Sequence, residues 1–442
     1  AVSRTSAVSI APVALPAAPE GIDGLHAWLG GAWKAHASGM LDLDHASIAS
    51  LDAEEEALEP SFFLPLVVRG STGALPPLIP NDLDPYQWAL DTVRAPSAWR
   101  LSTGDGTVIA VLDSGIDTDH PDLASKLWGN EGEIANNGID DDGNGYVDDI
   151  HGWRFDLHGG DSNSVQDDAG HGTHVAGIAG AATNNDIGIA GLGWDAVIMP
   201  VKILHWSPSV GMATGDLVDL AAGIDYAVSQ GADVINLSLG LDQAQACPYL
   251  LQAAVDHAYA NGVLVVAAAG NYAMGWPETF PANCEHVLGV AATDRYDLVA
   301  AYSNGGDHVS VAAPGSGIYS TSWSGDPGCG GQAYCYKHGT SMSTPHVSAL
   351  AALVMARYPH YAPGQVASAI LDNAIDLGTA GWDQGYGCGR IDTFAALAYG
   401  AQGAEPVCLE AGGWAQSERS PAPDPSAVSE PAFAPGEVIV GL

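Results

Sequence analysis

The chain has 442 residues, 13 basic against 52 acidic, for a net charge of −39, and 47% of it is apolar. Phosphate binding relies on clusters of Lys and Arg, so this balance excludes nucleic acid as a partner and disfavours an anionic membrane surface. The apolar fraction, with 55 Gly and only 15% charged residues, excludes a disordered chain. It fits one large loop-rich core with attachments, since single cores stop growing near ~250–300 residues. No apolar run reaches the ~18 residues of a membrane span.

Residues 1–80 are Ala/Pro-rich and weakly patterned, with one amphipathic helix candidate from Leu25 to His36 and an acidic patch from Asp52 to Glu56. They read as a separate small unit and linker. At Thr107 the character changes: Thr107-Val108-Ile109-Ala110-Val111-Leu112 is a continuous, β-branched apolar run, the pattern of a strand buried on both faces. Further strands are expected at Ala196 to Leu204, Asp233 to Leu237, Val263 to Ala268 and Val287 to Ala292. Between them lie helix-length segments, Leu217 to Gln230 and Tyr249 to Asn261, the second stopped by Asn261-Gly262. This alternation predicts an α/β fold, a parallel sheet flanked by helices on both faces, over residues 81–400. Residues 401–442 are expected to form a flexible tail, Pro/Ala/Ser/Glu-rich from Ser417 to Pro435, with a short strand-like end at Glu437 to Val440.

In parallel sheets, functional residues gather at the carboxyl ends of strands. Asp113 follows the first strand directly, and Asn271 follows Ala267-Ala268-Ala269-Gly270. Two Gly-flanked helix starts complete the picture. Gly339-Thr340-Ser341-Met342-Ser343-Thr344-Pro345-His346 delivers Ser341 to the positive end of an Ala/Leu-rich helix, and Gly170-His171-Gly172-Thr173-His174 delivers His171 to another. A hydroxyl is a weak nucleophile and needs a base, here His171 with His174 as competitor; the base needs an orienting group, Asp113. The side-chain amide of Asn271 is a donor for an oxyanion. Taken singly, each has a plainer reading as a cap, a turn residue or a structural His.

The insert Asn136-Asn137-Gly138-Ile139-Asp140-Asp141-Asp142-Gly143-Asn144-Gly145-Tyr146-Val147-Asp148-Asp149 repeats the first half of an EF-hand-like oxygen cage. Asp140, Asp142 and Asn144 alternate with turn-forming glycines, and the Tyr146 carbonyl with Asp148 or Asp149 is available to complete it. So many carboxylates together are unfavourable without a cation, so Ca²⁺ is expected. Six cysteines with no CxxC pair read as disulfides in an oxidising compartment; fifteen pairings are possible.

The order Asp113, His171, Asn271, Ser341, with the flanks quoted above, resembles the subtilisin-like serine proteases, nearest their thermitase-like branch, over residues 82 to about 398. The resemblance implies a secreted serine endopeptidase acting as a monomer on polypeptides through an acyl-enzyme. Ser341 would be the nucleophile, His171 the general base and acid, Asp113 its orienter, and Asn271 a partner of the Ser341 amide in the oxyanion hole. Ser238, Leu239 and Gly240 would pair with the substrate backbone, and Ala268, Ala269 and Gly270 would line one wall of the pocket for the side chain before the scissile bond. Tyr272 to Trp276 departs from the family pattern. A second calcium site would take Asp84, Asp122 and Asn185, with carbonyls of Thr183, Ile187 and Ile189.

Order along the implied fold suggests Cys247 with Cys284, Cys329 with Cys335, and Cys388 with Cys408. Family members carry an inhibitory prodomain, for which Ala57 to Leu64 supplies a closing strand. Phe433 to Val440, at the far end, also resembles the opening of such a prodomain. It is either a strand supplied from the chain's end or, the favoured account, a coincidence of a few residues. The alternative class is a binding or narrow processing module that keeps the fold without broad proteolysis. Met342, beside Ser341, is expected to make activity sensitive to oxidation.

Overall fold

The computed structural model describes residues 76–240, 246–275 and 280–401, a few positions up to 408, and the backbone of 437–439. All fall within one compact unit, Ala74–Leu442. The helix expected at Leu25 to His36 and the prodomain-like strand at Ala57 to Leu64 lie outside the described residues.

The strands are β1 (Val108–Asp113), β2 (Trp153–Arg154), β3 (Val197–Lys202), β4 (His205–Ser207), β5 (Met212–Asp216), β6 (Val234–Leu237), β7 (Leu264–Ala268), β8 (Val287–Thr293), β9 (Val311–Pro314), β10 (Ile318–Thr321), β11 (Tyr334–Lys337) and β12 (Glu437–Ile439). The helices are α1 (Trp88–Thr92), α2 (Ala95–Ala98), α3 (His171–Gly180), α4 (Leu217–Ser229), α5 (Tyr249–Ala260), α6 (Thr340–Arg357), α7 (Pro363–Leu371) and α8 (Thr393–Tyr399). Each strand and helix expected from sequence between Thr107 and Ala292 is present, with ends moved by at most a few residues.

Seven strands form one parallel sheet in the order β2-β3-β1-β6-β7-β8-β9. Alternation of side chains across each strand divides the core in two. Ile109 and Val111 face the layer built by α3, α6, α7 and α8, while Ala110 and Leu112 face the layer built by α4 and α5. The helices therefore cover both faces, as the unbroken apolar runs require.

The chain leaves β1 for β3 on one side and later returns to β6 on the other, so β1 and β6 flank the point where strand order reverses. Ligand-binding clefts form at the carboxyl ends of such a pair. Helix α6 crosses beneath this point and is buried over almost its whole length.

The three disulfides pair as expected: Cys247–Cys284, Cys329–Cys335 and Cys388–Cys408, with Cα separations of 5.1, 5.6 and 5.9 Å. Among the described residues, no helix is long and apolar enough to cross a membrane.

Candidate active site

Asp113 ends β1 and is fully buried. Its carboxylate accepts from His171 Nδ1 at 2.8 and 3.0 Å. A carboxylate only accepts, so Nδ1 carries a proton, and in the neutral imidazole Nε2 is the nitrogen that presents a lone pair. Nε2 is buried and has no hydrogen-bond partner among the described residues. The close approach depends on Gly172, where a Cβ would lie 2.2 Å from the Gly115 carbonyl oxygen and 3.1 Å from the Asp113 Cβ.

A second carboxylate, Asp167, builds the platform under this pair. It accepts from the amides of Ala169 (3.0 Å), Gly170 (2.9 Å) and Thr173 (3.0 Å), from the Thr173 hydroxyl (2.5 Å), and from the Ser114 hydroxyl (2.8 Å). The Ser114 hydroxyl in turn accepts from the Gly172 amide at 3.0 Å. One buried acid thus caps the first turn of α3 and ties it to the residue after Asp113, in a position favoured by the helix dipole. Burial pushes its carboxyl above the usual range, opposed by these donors. Sequence reading did not single out Asp167, although an acid four residues before a helix-opening His is a capping signal.

His174 does not share His171's surroundings. It is fully buried, its Nε2 lies 3.2 Å from the Cys335 carbonyl oxygen, and burial with the nearby Lys337 charge holds it well below the usual histidine range. It stays neutral and structural.

Ser341 is the second residue of α6 and is 1% exposed. Gly339, with φ 145°, supplies the turn before it, a conformation side chains rarely adopt. Ser341 Oγ donates to the Ser238 carbonyl at 3.0 Å, and Ser238 Oγ donates to the Ser341 carbonyl at 2.8 Å. The second bond has a sequence cause. Helical geometry would satisfy the Ser341 carbonyl from residue 345, but that residue is Pro345 and has no N–H. Asn236 donates to Ser238 Oγ (2.9 Å) and accepts from Ser348 (2.9 Å), so β6 is locked against α6.

Asn271 lies just past β7. Its Oδ1 accepts from the amide and hydroxyl of Thr340 at 2.8 and 3.0 Å. An amide N–H can only donate, so the side chain cannot be flipped, and Nδ2 faces the other way, buried and without a hydrogen-bond partner among the described residues. Gly270 is held alongside, its amide donating to Thr340 Oγ1 at 3.2 Å. Ala268 closes β7, Ala269 is buried beside it, and Leu239 is buried after β6. Tyr272 and Met274 are exposed, while Trp276 lies outside the described residues. Met342 is 1% exposed, as Ser341 is, and belongs to the main core.

A carboxylate-held imidazole with a bare Nε2, a hydroxyl opening a helix, and an outward amide donor form an arrangement able to activate a hydroxyl and receive an oxyanion.

The acidic loop is organised differently. Asp140 accepts from the amides of Gly143, Asn144 and Gly145, and Asp142 from that of Asn144. Asn144 Oδ1 accepts from Tyr146 N at 2.7 Å. Glu133, which sequence reading passed over, accepts from the amides of Asp141, Asp142 and Asp148, and offers a carboxylate oxygen within 4.8 Å of those of Asp140 and Asp142. Asp149 turns inward, accepting from Tyr226 Oη (2.7 Å) and Asn130 (2.8 Å), while the Tyr146 ring packs on Trp153, Phe155 and Tyr226.

At the second expected site, Asp122 is buried and accepts from Asn185 Nδ2 and the Ile189 amide, both at 2.9 Å. Burial pushes its carboxyl up. Asp84 caps the Tyr86 amide at 2.7 Å; Asp82 accepts from the Asn185 amide at 2.8 Å, and its Oδ1 is buried without a hydrogen-bond partner among the described residues. Ile187 N donates to Asn185 Oδ1 (2.9 Å), and the Thr183 hydroxyl braces Ala181 and Gly191.

Residues 104–389 match the model of the Subtilase family. The chain is 37% identical to thermitase of Thermoactinomyces vulgaris, over 72% of this chain and 99% of that protein. It is 36% identical to an extracellular protease of Xanthomonas campestris, over 72% of this chain and 57% of that one. A solved protease structure from Pseudoalteromonas arctica superimposes with TM-score 0.60 at 30% identity, over 73% of this chain and 98% of that one. The chain therefore belongs to the subtilase family, with the subtilisin-like α/β fold. It is a serine endopeptidase.

Proposed function

We propose that the chain is a secreted, calcium-stabilised endopeptidase that cleaves polypeptides through an acyl-enzyme built on Ser341, His171, Asp113 and Asn271. The observation that carries this reading is the pair of buried nitrogens, His171 Nε2 and Asn271 Nδ2, each fixed from behind by a partner whose role cannot be reversed, the accepting Asp113 carboxylate for the first and the donating Thr340 amide for the second.

In the first step, Ser341 Oγ turns from the Ser238 carbonyl and attacks the substrate carbonyl carbon while His171 Nε2 takes its proton. Asp113 stabilises the resulting imidazolium and keeps the ring oriented. The oxyanion is received by Asn271 Nδ2 and the Ser341 amide, which sits in the first turn of α6, where amides have no intrahelical acceptor. His171 then gives its proton to the leaving amine, and the C–N bond breaks. Water repeats the sequence in reverse to release the acid. Ser238, Leu239 and Gly240 would pair with the substrate backbone, and Ala268, Ala269 and Gly270 would border its side-chain pocket.

Two places fit Ca²⁺. Glu133, Asp140 and Asp142 crowd three carboxylates in the loop, with Asn144 and the Tyr146 carbonyl beside them. The buried Asp82 Oδ1 stands with Asp122 and Asn185, to which the resemblance would add the carbonyls of Thr183, Ile187 and Ile189. Calcium would supply the positive charge that makes such crowding favourable and would cross-link the loops. Secretion is supported by the disulfides and by the relatives' description as extracellular proteases. The N-terminal segment would serve as an inhibitory prodomain, and the enzyme would act as a monomer.

The test is to treat the calcium-loaded protein with a serine-directed covalent inhibitor during hydrolysis of a peptide amide. Activity should fall in step with a mass adduct mapping to Ser341. Undiminished activity, or an adduct elsewhere, would defeat the assignment.

A further inference from the structure

Strand β5 is sandwiched in a small antiparallel sheet between β4 and β12, the latter contributed by the far end of the chain. Glu437 pairs with Asp216, Val438 with Gly215 and Ile439 with Thr214. The position of β5 makes this pairing consequential. A Cβ at Gly215 would lie 2.2 Å from the Ile203 carbonyl oxygen, so the two backbones touch. The amides of Ile203 and Leu204 donate to the Asp113 carbonyl at 3.0 and 3.1 Å. Across the β4–β5 hairpin, the Trp206 amide donates to Asp168, three residues before His171. The hairpin is thus the wall of the Asp113–His171 pair. Ala213 of β5 also shares an apolar cluster with Leu239, which follows the Ser238 carbonyl that engages Ser341.

We propose that the chain's own segment Glu437–Ile439, paired along the β5 edge, occupies it in competition with extended polypeptide substrate. The proposal rests on the endopeptidase reading above. An unpaired edge beside a peptidase site is open to any extended chain, and strand addition is the usual way such an edge is satisfied. The segment suits the task. Val438-Ile439-Val440 is β-branched, follows a Pro435-Gly436 turn pair, and has a single charge, at Glu437. Covalent attachment raises its effective concentration to the mM range, so main-chain pairing of only mM affinity is enough to occupy the edge a substantial fraction of the time. Substrate that reaches β5 must displace it, which raises KM without altering the chemical step.

The experiment compares the full chain with its Val438→Pro/Ile439→Pro variant. Successive amides of a strand point to opposite sides, so one of the two prolines removes a ladder donor whichever faces β5. On an extended peptide amide, the variant should show KM lower by at least about threefold, with kcat and the titre of inhibitor-reactive Ser341 unchanged. A synthetic peptide of residues 431–442 should inhibit the variant competitively. Equal KM in the two forms, or a peptide that does not compete, would overturn the proposal. Absence of hydrolysis by both forms would overturn the endopeptidase reading instead, and the proposal with it.

Discussion

The wall around His171 and the loop from Asn130 to Asp149 are both crowded with carboxylates, yet they are held in opposite ways. Asp113 and Asp167 are buried, and the key ties among them span the fold: His171 comes to Asp113 across 58 residues, and Ser114 to Asp167 across 53. Asp140 and Asp142 draw their donors from amides two to five residues away in sequence, apart from the Asn130 side chain, which donates to Asp142 across 12 residues. The first arrangement is positioned by the whole core and needs no ion. The second is local, its acids held by the amides of their own turns, with no cation among the described residues to offset their charge. Chemistry and stability should therefore fail separately, and each perturbation below tests that separation.

The largest effect is expected at Ser341. Ser341→Ala should lower kcat by about 10⁶-fold, the scale seen when subtilisin loses its nucleophile, with an unchanged melting temperature. Residual activity within tenfold of the parent would mean that another group attacks. Asn271→Ala follows. It should cost about 10²–10³-fold in kcat with little change in KM, as when subtilisin loses its oxyanion amide. A loss carried by KM alone would make Asn271 a binding residue.

Beneath Ser341 the core has its own sensitivity. Burial holds His346 down to about 4, with Nδ1 2.9 Å from the Met342 carbonyl oxygen. An imidazole kept neutral in the fold but titrating near 6.5 when unfolded contributes stability that is intact above pH 6.5 and is lost as pH falls toward 4, by up to about 3 kcal/mol. Urea unfolding at pH 7 and 4.5 should show this slope, and His346→Gln should flatten it; an equal slope in both proteins would assign the acid sensitivity elsewhere.

The acidic loop should behave conversely. Calcium at 100 times its Kd adds ~2.7 kcal/mol, worth roughly 4 °C in melting temperature for a domain of this size, and chelation should remove it. Asp142→Asn should shrink the difference between calcium and chelator while kcat in calcium stays level. A melting temperature indifferent to chelator would leave the loop's acids without their counter-charge and remove calcium from the account.

The same contrast explains what could be read from the chain. Unbroken runs such as Val108 to Leu112 can only be strands buried on both faces, so the parallel sheet followed from composition and order. Asp113, His171, Asn271 and Ser341 were legible because each carries small, Gly-rich flanks that let backbones approach. Asp167 was not, because the tie that joins its local cap to the strand end, from the Ser114 hydroxyl 53 residues away, is made only by folding, and Glu133 was hidden by lying outside the acidic run. Asp84 and Asp82, two residues apart, are equivalent by pattern, and only the fold turns Asp82 toward Asn185. Strands β4 and β5, with β10 and β11, escaped notice because they are short and mixed in polarity, taking their conformation from neighbours and not from propensity.

By itself, then, the sequence determined which segments are buried, the order of the reactive residues and the class of chemistry, since these depend on local polarity and on motifs a few residues long. Tertiary structure alone decided which nitrogen of His171 faces outward, which way the Asn271 amide points, which acids share a site and which edge the end of the chain adds to. Each of these is set by partners remote in sequence, whose hydrogen-bonding direction becomes defined only when the sheet brings them within 3 Å or so of one another.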